Sequence, residues 1–203
     1  MALLSAILAT VLLMGLGASL VLIGTSEAAL AAHDRDARAL REASVAVAHL
    51  AVADLRRLPE WSAVLAAGAT PLSAIPGRAA DTTLTPPAPW VGAPLDLRQL
   101  TVDVAAAADT GSGDAQAWRL YEYGGLTQLV PGPAAGAIYL AAWVADDSGD
   151  GDGDPLTDSN GILAVRAEAY GPGGSRAVTA VFLRKTASST GPDEVRILSI
   201  RPQ

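Results

Sequence analysis

Met1 to Gly24 carry no charge, no proline and no side-chain amide, and Glu27 is the first ionisable residue. An apolar run of about 24 residues is roughly 36 Å long as a helix, enough to cross a hydrocarbon core of ~30 Å. It is too long and too uniform for the apolar core of a cleavable secretory signal, and no A-x-A site closes it. Helix-forming residues continue without Pro or Gly as far as Pro59. One helix over residues 1–58 is therefore predicted, with 1–24 as its membrane or filament-core segment. Beyond Glu27 the pattern turns amphipathic. Leu40, Val47, Leu50 and Leu58 fall near one side, with Val45, Val52 and Leu55 widening it. Arg38, Arg41, Glu42, Arg56 and Arg57 lie elsewhere around the helix. The first part is apolar all round, whereas the last part has a face on which a domain can pack.

Residues 59–99 read as a connection. Pro71, Pro76, Pro86, Pro87, Pro89 and Pro94, with Gly68, Gly77 and Gly92, forbid long regular elements there. The period then changes to two. Leu100–Val104 alternates and predicts a strand, and further strands are predicted over 117–123, 138–144, 162–170, 177–183 and 195–200. Gly171-Pro172-Gly173-Gly174-Ser175 predicts a hairpin loop between two of them. Arg166 and Glu168 alternate with Val165, Ala167 and Ala169, which predicts one wet face. Strands that follow one another without helices between them predict an antiparallel sheet. The fold class expected is α+β: a long N-terminal helix, transmembrane in its first half, packed on a small antiparallel β-sheet within an extracytoplasmic domain of residues 100–203.

Half of the chain is apolar, but much of that is alanine, so Trp61, Trp90, Trp118 and Trp143 are the expected core anchors. There is no cysteine, which removes disulfides and thiolate metal sites. The formal charge is −7, and no basic stripe exists, which argues against nucleic acid as a partner. His33 and His49 are the only histidines, 16 residues apart on one predicted helix, so they cannot share a ligand within a chain. The chain has no G-x-S-x-G, no phosphate-binding glycine loop with lysine and no His-x-x-x-His, and an enzyme is not expected.

The acidity is concentrated in one place. Asp146, Asp147, Asp150, Asp152, Asp154 and Asp158 fall within a single glycine-rich segment, 146–158. Hard cations such as calcium want six to eight oxygens, which closely spaced carboxylates on a pliant loop can supply. Counting Asp146 as position 1 puts Ser148 at 3, Asp150 at 5, Gly151 at 6 and Asp154 at 9, much as in an EF-hand loop. Position 12 is Thr157 rather than a bidentate Glu, with Asp158 adjacent, and strands rather than helices flank the segment. The expectation is a calcium-binding loop of similar spacing, with Asp146, Ser148, Asp150, Asp152, Asp154 and Asp158 as ligands. The alternative is a solvated Asp/Gly loop held open by its own repulsion.

The N-terminal residues carry a resemblance. The run from Ala2-Leu3-Leu4 through Leu13, then Gly15-Leu16-Gly17, Gly24-Thr25-Ser26-Glu27, Arg35-Asp36 and the Ala-rich Glu42 to Ala53, resembles PilX-type minor pilins over about residues 1–58. Asp146 to Arg184, with its acidic loop and Gly-Pro-x-Gly turn, looks like the outer domain of related proteins. The resemblance implies a structural subunit that takes part in assembly or priming of a type IV pilus or related pseudopilus. It implies other pilin subunits as partners through residues 1–58, and residence in a bacterial inner membrane before assembly. It also implies a leader cut by a prepilin peptidase. No Lys or Arg precedes the apolar run here, while Arg35, Arg38 and Arg41 follow it. By charge alone that places the outer domain in the cytoplasm, a conflict that a basic leader removes. Major pilins carry a Glu at the fifth mature position; Ser5 stands here, which points to a minor or priming subunit. The alternative from another class is a single-pass anchored extracytoplasmic binding module with a calcium-binding loop.

Overall fold

The computed structural model describes residues 2–66, 83–84, 95–108, 117–130, 137–187 and 193–202. Helix α1 runs Ala2–Leu55, followed by α2 (Ser62–Leu65), a two-residue pair β1 (Thr83–Leu84) and β2 (Leu95–Asp96), and α3 (Leu97–Ala108). Five strands complete the order: β3 (Arg119–Gly125), β4 (Tyr139–Asp146), β5 (Ile162–Tyr170), β6 (Arg176–Thr186) and β7 (Glu194–Pro202). They form one sheet in sequence order, every neighbouring pair antiparallel. The architecture is thus the expected α+β arrangement of a long N-terminal helix and an antiparallel sheet. The chain divides into two compact units, Met1–Arg38 and Ala39–Gln203.

In the first unit, residues 2–38 are helical and all exposed. The apolar side chains offer no buried stripe: Leu4, Leu8, Leu12, Leu20 and Ile23 all show more than half their area. The hydroxyl groups are a different matter. Ser5 donates to the Ala2 carbonyl at 3.2 Å, Thr10 to Ile7 at 2.8 Å and Ser19 to Gly15 at 2.9 Å. Thr25 donates to Leu22 at 2.9 Å and Ser26 to Ile23 at 2.8 Å. Each hydroxyl hydrogen is satisfied by the preceding turn, so an apolar surrounding leaves no donor stranded.

In the second unit, the C-terminal part of α1 lies on one face of the sheet. Leu40, Ala43, Val47, Ala48, Ala51, Val52 and Leu55 are buried against Leu140, Ala142, Val144, Leu163, Val165, Ala167, Ala169, Val181 and Leu183. Alanines on both sides let the helix approach the strands closely, and a buried hydrogen bond of 2.8 Å joins Ser44 and Thr179 across the seam. Fully burying each Val or Leu is worth about 1.5–3 kcal/mol, so this seam is the largest apolar contribution of the unit.

The helix stops before Pro59, and its end is closed by side chains from elsewhere. Trp61 Nε1 donates to the Leu55 carbonyl at 3.0 Å. Lys185 Nζ donates to the carbonyls of Leu58 and Pro59, lies 5.7 Å from the centre of the Trp61 ring, and pairs with Asp193 at 3.5 Å. A cation at the end of a helix meets the negative pole of its dipole.

Two expectations fail. The face of β5 that carries Arg166 and Glu168 is not wet: Glu168 is fully buried, the Arg166 side chain is 12% exposed, and Ala164 and Tyr170 beside them join an apolar cluster. Leu100–Val104 is not a strand but the middle of α3. Leu97 and Val104 are buried and Leu100 and Ala105 half-buried, a helical spacing that a five-residue window of alternation cannot distinguish. Asp96 fixes the start, its Oδ1 accepting from the Arg98 and Gln99 amides at 2.9 and 3.2 Å, as an N-cap does. Helix α3 shares the other apolar cluster with Trp118, Trp143, Ala141, Ala164 and Tyr170, and Trp143 Nε1 donates to Thr101 Oγ1 at 2.9 Å. Trp61, Trp118 and Trp143 are core residues as expected; Trp90 and most of the 59–99 connection lie outside the described residues.

The helix–sheet seam yields a stability prediction. Ala48→Leu, in a fully buried position, should cost about 1–3 kcal/mol by overpacking. Ala31→Leu, on the exposed part of the same helix, should leave the denaturation midpoint of the full chain in detergent unchanged. Equal effects at the two positions would contradict the packing described.

Candidate metal centre

Strands β4 and β5 are paired up to Asp146↔Leu163, and the acidic segment is the loop that joins them. Asp146 is the last residue of β4 and is 5% exposed; Asp150 is 8% exposed and Asp152 lies open. The fold brings these three together, with one carboxylate oxygen from each lying within 4.8 Å of the others. Such an acidic triad can hold a metal ion, with remaining oxygens from water or backbone carbonyls.

The other predicted ligands are placed differently. Asp154 accepts from the Leu156 amide at 3.0 Å and the Thr157 hydroxyl at 2.9 Å, so its carboxylate closes its own turn. Asp158 Oδ1 accepts from the Gly161 and Ile162 amides at 2.7 and 3.2 Å, closing the loop where β5 begins. Ser148 is exposed and outside the triad. His33 and His49 are both exposed and belong to different units.

Residues not singled out from the sequence build the support. Ser159 donates its amide to Asp150 Oδ2 at 2.8 Å and its hydroxyl to Oδ1, orienting that carboxylate. Asn160 Nδ2 donates to Asp147 Oδ1 at 2.7 Å. The Asp158 amide donates to Ser62 Oγ at 3.1 Å, tying the loop to α2. Gly161 has φ +74°, and a Cβ there would stand 2.6 Å from the Lys185 carbonyl oxygen, so only glycine fits this exit. The Asp158-Ser159-Asn160-Gly161 run carried the sequence signal for this, as a turn-forming cluster.

Electrostatics follow from this crowding. Two carboxylates about 4–5 Å apart near a protein surface repel by roughly 3–4 kcal/mol, so a proton or a cation is favoured between them. Burial pushes the Asp146 carboxyl from 3.8 up to about 7, helped by the charges of Asp150, Asp158 and Asp147 and opposed by the Asp147 amide. Burial also raises Asp158, against the amides that bond it. Asp150 is lowered, first by the Ser159 hydroxyl and then by the Ser159 amide.

No protein family, curated protein or solved structure matches the chain.

The signs give a pH prediction. Folded Asp146 holds a proton that the unfolded chain has released, so its contribution to stability is present in acid and is lost between about pH 4 and pH 7. Asp158 acts in the same direction; Asp150 contributes stability that disappears only below its lowered value. Without divalent cations the unfolding temperature should fall between about pH 5 and pH 7.5 more steeply than in the Asp146→Asn variant. A millimolar divalent cation at the higher pH should recover the loss. Identical pH profiles for the two proteins would contradict this.

Proposed function

We propose that this chain is a structural, non-catalytic subunit of the minor-pilin kind, taking part in assembly or priming of a type IV pilus or a related pseudopilus. Its N-terminal helix holds it in a bacterial inner membrane, with the sheet unit outside, and is then drawn into a bundle of like helices. The observation that carries this reading is the exposed apolar surface of residues 2–26, continuous around the helix and with its hydroxyl groups bonded internally. One helix here is long and apolar enough to cross a membrane. A surface apolar on every side suits lipid, and equally suits a central position among several neighbouring helices. Assembly then exchanges lipid contacts for subunit contacts and requires no reaction. The resemblance of residues 1–58 to PilX-type minor pilins supports the filament destination.

A second reading is favoured by the acidic triad: a single-pass anchored binding module whose loop takes calcium. Calcium accepts irregular oxygen cages of six to eight ligands, whereas magnesium demands a small, near-octahedral one, and a glycine-rich loop with three carboxylates suits the former. On either reading calcium stiffens the loop, so the recovery of unfolding temperature should be larger with calcium than with equal magnesium.

The two readings separate on the N-terminal mass of native protein taken from sheared surface filaments and from membranes. A processed, N-methylated terminus present in the sheared fraction is the expected result. An unmethylated terminus confined to membranes would overturn the filament reading and leave the anchored module.

A further inference from the structure

The face of the sheet opposite α1 carries a charge pattern unlike the rest of this acidic chain. On β6, Arg176, Val178, Ala180, Phe182 and Arg184 share that face by the period of two. The register sets Arg166, Ala180 and Arg201 in one row across β5, β6 and β7, and Ile162, Arg184 and Arg196 in another. Five arginines therefore share a sheet face with two acidic residues of the same strands, with Arg166 mostly covered at 12% exposed and the other four open to solvent. Glu168 is fully buried and holds Arg166 at 2.6 Å and Arg176 at 3.5 Å; Glu194 holds Arg196 at 2.9 Å. Arg184 and Arg201 are exposed and pair with no carboxylate among the described residues. Arg184 and Arg196 stand directly opposite one another on adjacent strands, and Glu194 neutralises Arg196 but not Arg184.

We propose that this arginine face docks the acidic loop of a second copy of the chain. Of the six aspartates in the loop, Asp152 and Asp154 are exposed and face solvent. Its tip is open, since nothing lies within 4 Å of where a Cβ would stand on Gly151 or Gly153, the glycines flanking Asp152. Among the described residues, exposed Asp152 and Asp154 form no ion pair with exposed Arg184 or Arg201 of their own chain. A chain of charge −7 repels nucleic acid, whereas the loop is short enough to meet the arginines without aligning two acidic bodies. The contact joins two different surfaces, so each copy presents both halves and the contact can repeat from copy to copy. It stands on charge and register in the sheet unit alone, goes beyond the pilus reading and does not rest on it.

A chain without cysteine makes the test clean. Full-length Ser148→Cys chains, with the substitution in the loop, are mixed in detergent with Ser199→Cys chains, with the substitution on the arginine face, and oxidised mildly. A mixed disulfide dimer roughly fivefold above either like-with-like dimer is expected, in line with about two exposed ion pairs. Arg184→Glu with Arg201→Glu in the Ser199→Cys partner should remove the excess. Asp152→Lys with Asp154→Lys in the other partner should then restore it. A mixed dimer no more abundant than the like dimers, or one indifferent to the arginine reversal, would overturn the proposal, because association through the apolar helix does not depend on these charges.

Discussion

The packing of Leu40 to Leu55 on the sheet is the contact on which the other features depend. A sheet with alanine at 142, 167 and 169 cannot form a deep core by itself, and the helix supplies the matching side chains. Small residues on both sides bring the backbones close, so the seam tolerates little added volume. The same helix is thereby divided chemically. Its second part finds its apolar partners within the chain, while its first part is apolar on every side, exposed, and long enough to cross a membrane.

The end of that seam is also where the loop is anchored. Lys185, the only lysine in the chain, engages the carbonyls after α1, the Trp61 ring and Asp193, while its own backbone amide donates to the Gly161 carbonyl at 2.7 Å. Ser62 accepts from the Asp158 amide on the other side. The helix terminus, the exit of the acidic loop and the β6–β7 end thus share one corner. A loop bearing six aspartates keeps a defined path because its ends are fixed there and because the carboxylates of Asp147, Asp150, Asp152, Asp154 and Asp158 accept from its own amides. That path leaves Asp146, Asp150 and Asp152 facing one another.

Much of this was legible in the sequence. The uncharged start marked the apolar part of α1, Pro59 marked the limit of the helix, and the strand patterns located β3 to β7 with ends within three residues. Helix α3 was misread because Leu100-Thr101-Val102-Asp103-Val104 satisfies both periods; Asp96 as cap and the spacing from Leu97 to Val104 decide it. The triad was only partly legible. Spacing nominates any aspartate of the loop, but which ones converge depends on where the turns carry them. Asp154 is turned back on Leu156 and Thr157, and Asp158 is held at the loop exit by the Gly161 amide. Asp150 and Asp152, bonded by the Ser159 and Asp154 amides, stay beside Asp146. The arginine face was hidden for a different reason. It joins residues from three strands, and only the register, shifted by a bulge between Phe182 and Leu183, shows that they share one surface.

The central proposal is that the first part of α1 is surrounded by apolar matter over its whole circumference. Single cysteines placed one at a time from Leu3 to Arg38 of the full chain in native membranes, and probed with a water-soluble thiol reagent, test it directly. The account predicts protection at every position as far as Ser26 and labelling from Glu27 onward. Labelling that rises and falls with the helical period before Ser26 would show a single covered stripe, and would contradict the account.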